Sequence, residues 1–277
     1  MHTFLLGYNL ESSDWSRPGV TTAFLQAAVP LHVELRIPCT LFVRGQAIED
    51  HPDDFRRARD LGGEFIDFQQ YTYSALPLKT ICQEDNKGRA VVLGGSPALC
   101  RDDVARASDV MERVLGVRPI GLCGPMGCYR GLADRPDLLE MLSRQGIRFL
   151  RTYTRNSHDA HPVPFEIQPF RYDAQGFADL LEIPGQGWPD YLLREALGFG
   201  PSDRYLQHLR KDLDYLVARR LTWSLIQHDW SSLQDDPAML STRRLLEQVA
   251  TLGFKAQSHA GYYRDLMATG AEKTGAA

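Results

Sequence analysis

Ile37-Pro38-Cys39-Thr40-Leu41-Phe42-Val43-Arg44-Gly45 decides the fold class of this chain. Cys39–Val43 is a short apolar run between turn residues, too short for a buried helix, so it reads as a fully buried strand. His51-Pro52 then opens a helical stretch that closes at Leu61-Gly62-Gly63-Glu64. The same alternation recurs along the chain. Further candidate strands are Thr3–Tyr8, Glu64–Phe68, Ile120–Cys123, Ile147–Arg151, Leu180–Ile183 and Thr222–Gln227. Val104, Ala107, Met111, Val114 and Leu115 fall at helical spacing, as do Leu206, Leu209, Leu213, Leu216 and Val217. Asp236-Pro237 opens another amphipathic helix, with Met239, Leu240, Leu245 and Val249 on one face and Gly253 at its end. About seven strand and helix pairs predict an α/β fold with a mostly parallel sheet, closed or nearly closed into a barrel.

Composition narrows the class of function. The chain has 277 residues, 43% of them hydrophobic, enough for one large core, and is read as one domain over 1–270 with a disordered tail over 271–277. A net charge of -4 without a basic run gives no reason to expect nucleic acid or an anionic membrane as partner. Met1–Gly7 has no positive n-region and reads as a first strand rather than a secretion signal, and no window is apolar enough to span a bilayer. Five cysteines without a CxxC pair fit reduced thiols in a cytoplasmic protein. The expected partner is a small molecule or carbohydrate, and homo-oligomerisation is left open.

Tyr71-Thr72-Tyr73-Ser74-Ala75 resembles the His-Thr-Tyr-Ser-His segment of polysaccharide deacetylases of the NodB type, the carbohydrate esterase family 4-like superfamily. The similarity extends through Ile37–Gly45, through Leu61-Gly62-Gly63-Glu64 where the family has Gly-His-Glu, and through Arg118–Pro125. Leu180–Pro184 and Ser224–His228 are similar to two later strands. The resemblance implies a distorted (β/α)7 barrel with the site at the C-terminal ends of the strands. It also implies that the family's two metal-binding histidines are here Tyr71 and Ala75, that its catalytic arginine is Cys123, and that its basic aspartate is Asn9. Glu11 keeps the family's second acid and His228 its general acid. Four of six expected groups are therefore replaced.

Chemistry follows from these replacements. Alanine offers no lone pair, and a phenol with a solution pKa of about 10 is a poor substitute for imidazole, so no cofactor is expected, the alternative being a weakly bound zinc or other divalent metal. Glu11 and His228 are the candidate catalytic pair, with Asp14 three residues beyond Glu11 as a second acid. Asn9, Tyr71, Cys123, Trp188 and Trp230 are candidate substrate contacts, Cys123 reading more readily as a buried small side chain than as a nucleophile. His158 and His161 flank Asp159 in a polar loop, a weak metal motif, and Ile183–Asp190 reads as a long loop over the rim. The expected function is metal-independent attack on a C–N bond of a small N-acyl sugar or related metabolite. Two alternatives are a pseudoenzyme that binds a glycan, metabolite or partner subunit, and a non-hydrolytic acid/base enzyme such as an isomerase, lyase or cyclase.

Overall fold

The computed structural model describes residues 2–12, 16–85 and 88–274, with side chains described outside 83–89 and 269–274. Asp14 lies outside the described residues. The strands are β1 (Thr3–Leu10), β2 (Cys39–Val43), β3 (Ile66–Gln70), β4 (Ile81–Asp85), β5 (Gly88–Val92), β6 (Gly121–Tyr129), β7 (Phe149–Arg155), β8 (Phe170–Tyr172), β9 (Phe177–Glu182), β10 (Thr222–His228) and β11 (Lys255–Gln257). The helices are α1 (Val20–Leu35), α2 (Gly45–Asp50), α3 (Pro52–Gly62), α4 (Pro97–Leu115), α5 (Pro136–Arg144), α6 (Asp190–Leu197), α7 (Asp203–Arg219), α8 (Asp229–Leu233), α9 (Leu240–Thr251) and α10 (His259–Thr274).

Every residue of β1, β2, β7 and β10 is buried, as expected of parallel strands covered on both faces. Strands pair in the order β10-β1-β2-β3-β6-β7-β9, all parallel, with β8 antiparallel on β9 and β11 parallel on β1. The ladder does not close between β9 and β10. Segment 183–187 fills that gap: Ile183 N–H donates to Leu150 O at 2.7 Å, Gly185 N–H to Tyr153 O at 3.0 Å and Gln186 N–H to Ser224 O at 3.3 Å. The stretch expected to lie as a loop over the rim is thus mostly buried wall, its backbone pairing with the two facing strands.

Several boundaries differ from the sequence reading for identifiable reasons. A 3-10 turn over Gly63–Phe65 delays β3 to Ile66. Met239 has φ 51°, which no α-helical residue adopts, so α9 starts at Leu240; Asp236 still caps it, accepting from the Leu240 and Ser241 N–H groups at 2.8 Å. The antiparallel β4–β5 hairpin falls in a polar stretch without alternation and was not expected. Helix α10 runs to Thr274, four residues into the segment read as a tail, and 275–277 lie outside the described residues. Among the described residues no helix is long and apolar enough to cross a membrane.

Candidate active site

Register brings the site together before any side chain is considered. Asn9 is opposite His228 across β1 and β10, and Cys123 is opposite Arg151 across β6 and β7. Asn9, Glu11, Tyr71, Cys123, Arg155, His161, Tyr191, His228 and Trp230 line one cavity of about 240 Å³ at the strand C-termini. That volume can hold a small molecule or a single unit of a larger one.

His228 ends β10 and is 6% exposed. Its Nδ1 is 2.6 Å from Asp190 Oδ1, and its backbone N–H donates to Asp190 Oδ2 at 3.0 Å. Asp190 opens α6, so one carboxylate holds both the ring and the main chain of His228. Burial pulls the His228 pKa down, but Asp190, Glu11 and Asp229 together push it above the ordinary histidine value. Burial also pushes Asp229 up to about 6, although it accepts from the Ser12 and Trp230 N–H groups.

Asn9 faces His228 from β1, its Nδ2 donating to Nε2 at 3.3 Å. The orientation of that amide is fixed by Arg151, which has only donors and points Nη2 at Asn9 Oδ1. Arg151 is fully buried, reaching under the strand ends to Gly7 O at 3.2 Å and Cys123 Sγ at 3.4 Å, with its guanidinium over the Phe42 ring. Gly7 permits this, since a Cβ there would collide with Arg151 and with His259. Cys123 is a buried thiol whose pKa is raised by burial against the pull of Arg151, so it remains protonated and donates to Asn9 Oδ1 at 3.5 Å.

Glu11 sits just past β1, tethered at both oxygens: Tyr71 OH donates to Oε2 and Trp230 Nε1–H to Oε1, each at 3.2 Å. Burial raises the Tyr71 pKa well above the usual phenol value, with Glu11 adding to it, so the phenol stays protonated. A carboxylate has about four lone-pair sites, which leaves room on Glu11 for a water.

The family's divalent metal can be tested against these donors. Of the two positions that the resemblance aligns with metal-binding histidines, one is a protonated phenol and the other, Ala75, has no donor, while both Glu11 oxygens hold N–H or O–H groups. Among the described residues no group of three or more His, Cys, Asp or Glu is arranged to hold a metal ion. The donor set does not fit a tetrahedral or octahedral centre.

Trp188 does not line the cavity. The Val163–Gly187 bridge turns the chain there, leaving the indole 37% exposed, and Pro189 lines the cavity instead. Tyr73 turns away as well, donating to Glu49 at 2.7 Å on the α2–α4 side. His158 and His161 separate, His161 lining the site and His158 a larger cleft beside Lys79 and Asp134, so the HxxH spacing makes no chelate. Sequence reasoning missed Asp190, Arg151, Arg155 and Tyr191. The two arginines had one available signal: charges at the end of an apolar strand that the register buries.

A mostly parallel α/β sheet with a small cavity at the C-terminal ends of its strands is the arrangement in which this class of fold places its sites. Residues 14–149, just under half of the chain, match the family model for polysaccharide deacetylase. No curated protein sequence matches. A Mycobacterium smegmatis protein assigned to the polysaccharide deacetylases superposes with TM-score 0.71 at 15% identity, over 97% of this chain and 91% of that one. The PuuE allantoinase superposes with TM-score 0.64 at 17% identity, over 97% and 90%. BA3943, a pseudoenzyme of carbohydrate esterase family 4 from Bacillus anthracis, gives 0.55 at 11% identity, over 93% and 64%. At these identities the likeness concerns the fold.

Proposed function

We propose that the protein is a metal-independent hydrolase of a C–N bond in a small amide, an N-acyl sugar or a ureide. The observation that carries this reading is the buried His228–Asp190 pair, 2.6 Å apart, with His228 Nε2 at a small cavity that Glu11 also lines. Asp190 fixes the ring and favours its protonated form, while the Asn9 donor favours the neutral one. Opposed influences of this kind keep an imidazole able to change protonation within one cycle.

In the reaction, a water on a remaining Glu11 lone pair gives up a proton as it attacks the carbonyl carbon. The tetrahedral oxyanion forms beside the Asn9 amide and the Gly124 segment. Protonated His228 then gives the Nε2 proton to the departing nitrogen, the C–N bond breaks, and the products are an amine or ammonia together with a carboxylic acid from an amide or a carbamic acid from a carbamoyl group. Without a Lewis acid the fixed donors must supply the stabilisation, which favours an activated carbonyl, such as the imide-like carbonyl of a cyclic ureide, over a plain acetamide. The fold likeness to an allantoinase is in keeping with that preference. Five cysteines without a CxxC pair support a reducing, cytoplasmic setting.

A second reading is a binding pseudoenzyme. It draws on the four replaced groups and on the tethering of Glu11 by Tyr71 and Trp230, which a purely binding role would tolerate. Ring opening of allantoin to its acid, and release of ammonia or amine from N-acetylglucosamine and N-carbamoylglycine, compared between the wild type and His228→Ala, separate the two. Turnover lost in a folded variant supports the hydrolase; turnover unaffected by it removes the acid role.

A further inference from the structure

Arg155 ends β7 and lines the cavity from a different sector of the rim than β1 and β10, which bring Glu11 and His228. It is only 5% exposed. Its Nε donates to Met126 O at 2.9 Å and its Nη1 to Asp159 O at 2.6 Å, so the guanidinium is held in place by two backbone carbonyls. Met126 has φ 62° and Gly127 φ 59°, and a Cβ at Gly127 would collide with Thr154, so Arg155 braces a turn the chain adopts only at some cost. Neither carbonyl neutralises the charge. Among the described residues Arg155 makes no ion pair, and its Nη2 donates to no protein atom.

The neighbours place this charge in the cavity. Tyr191 feels both Arg155 and Glu11, and His161 feels both Arg155 and His228. His161 itself is held to about 4 by burial and then by Arg155 and His228, so it is neutral, and its buried Nδ1 has no partner among the described residues. A nearly buried guanidinium, immobilised and without a carboxylate partner among the described residues, is built to receive an anion, with Nη2 left to donate to a carboxylate.

We infer that Arg155 anchors a carboxylate of the substrate, so that the site takes a small amide or ureide acid in preference to a neutral amide. This rests on the hydrolase reading and specifies its substrate class. The carboxylate docks on Arg155 Nη2, a few bonds from the C–N group presented to Glu11 and His228, and the cavity of about 240 Å³ leaves room for little else. Arg155 then contributes to binding, and the chemistry stays with Glu11 and His228.

The test is isothermal titration of the full chain with N-carbamoylglycine and with its neutral counterpart N-carbamoylglycinamide, at fixed ionic strength. Wild-type protein should bind the acid about tenfold or more tighter than the amide, as expected of a charge-assisted hydrogen bond. Arg155→Gln should abolish the difference and Arg155→Lys should retain part of it, with circular dichroism confirming the fold. Equal affinities in the wild type, no binding of the acid, or an undiminished preference in Arg155→Gln would each overturn the inference. The readout needs no turnover. Loss of the preference beside His228-dependent cleavage of neutral amides would sink the anchor alone, and a retained preference without cleavage would sink the hydrolase reading alone.

Discussion

Arg151 Nη2 donates to Asn9 Oδ1, and that bond decides which end of the Asn9 amide His228 meets. With Oδ1 held by the guanidinium and the Cys123 thiol, Nδ2 is turned to His228 Nε2 and opposes its protonation. Replacing Arg151 with Met frees the amide to rotate and offer Oδ1 to a protonated ring. The expected result is a rise in the His228 pKa, followed by the imidazole resonances in a pH titration by NMR; a fall or no change would show that Arg151 does not set the amide.

Asp190 acts on the same ring from the other side. In Asp190→Asn the carboxylate that raises the His228 pKa is gone, so the pKa should fall. For a reaction that needs the protonated acid, the alkaline limb of the pH–rate profile moves to lower pH, and turnover at neutral pH drops on the order of 100-fold. An unmoved limb with a reduced rate would mean that Asp190 only positions the ring.

Glu182 carries structural weight behind the site. Fully buried at the end of β9, it accepts from Thr152 N–H at 2.6 Å, Tyr153 N–H at 2.7 Å, Thr152 Oγ1–H at 2.7 Å and Tyr172 OH at 2.6 Å. These bonds satisfy the β7 backbone just where it turns towards Arg155. Glu182→Leu strands two buried N–H groups and should cost about 3 kcal/mol or more in urea unfolding. A loss below about 1 kcal/mol would mean that the strand ends rearrange to find other partners.

His32 sets a pH dependence of stability unrelated to catalysis. Buried on α1 between Ile37 O and Tyr8 OH, it is pulled by burial from 6.5 to about 4. Because the folded state disfavours its charge, this stability is present above about pH 6.5 and is lost as pH falls towards 4. The loss is on the order of 3 kcal/mol for this one group. Denaturation curves between pH 7 and 4 should show it, with a smaller slope in His32→Gln. Equal slopes in the two proteins would assign the dependence to other groups.

The strand cores were legible because parallel strands are continuous apolar runs, and Cys39–Val43 was read to the residue. What the sequence hid was polar and non-local. Arg151 and Arg155 look like ordinary strand-end charges until the β6–β7 register places one under Asn9 and the other in the cavity wall. Asp190 was visible as the end of a loop, but its partner is 38 residues away and only the gap between β9 and β10 brings them together. Trp188 was misplaced because a tryptophan in a glycine-rich loop gives no sign of which way the turn will face it.

The most direct test of the account combines metal analysis with turnover on one sample. Protein stripped with chelator, its residual metal measured by inductively coupled plasma mass spectrometry, is assayed on the same small amides and ureides, alongside His228→Ala and after incubation with zinc. The account predicts turnover that survives the stripping, is unchanged by zinc and disappears in His228→Ala. Turnover that vanishes with the metal and returns with one bound zinc per chain would contradict it.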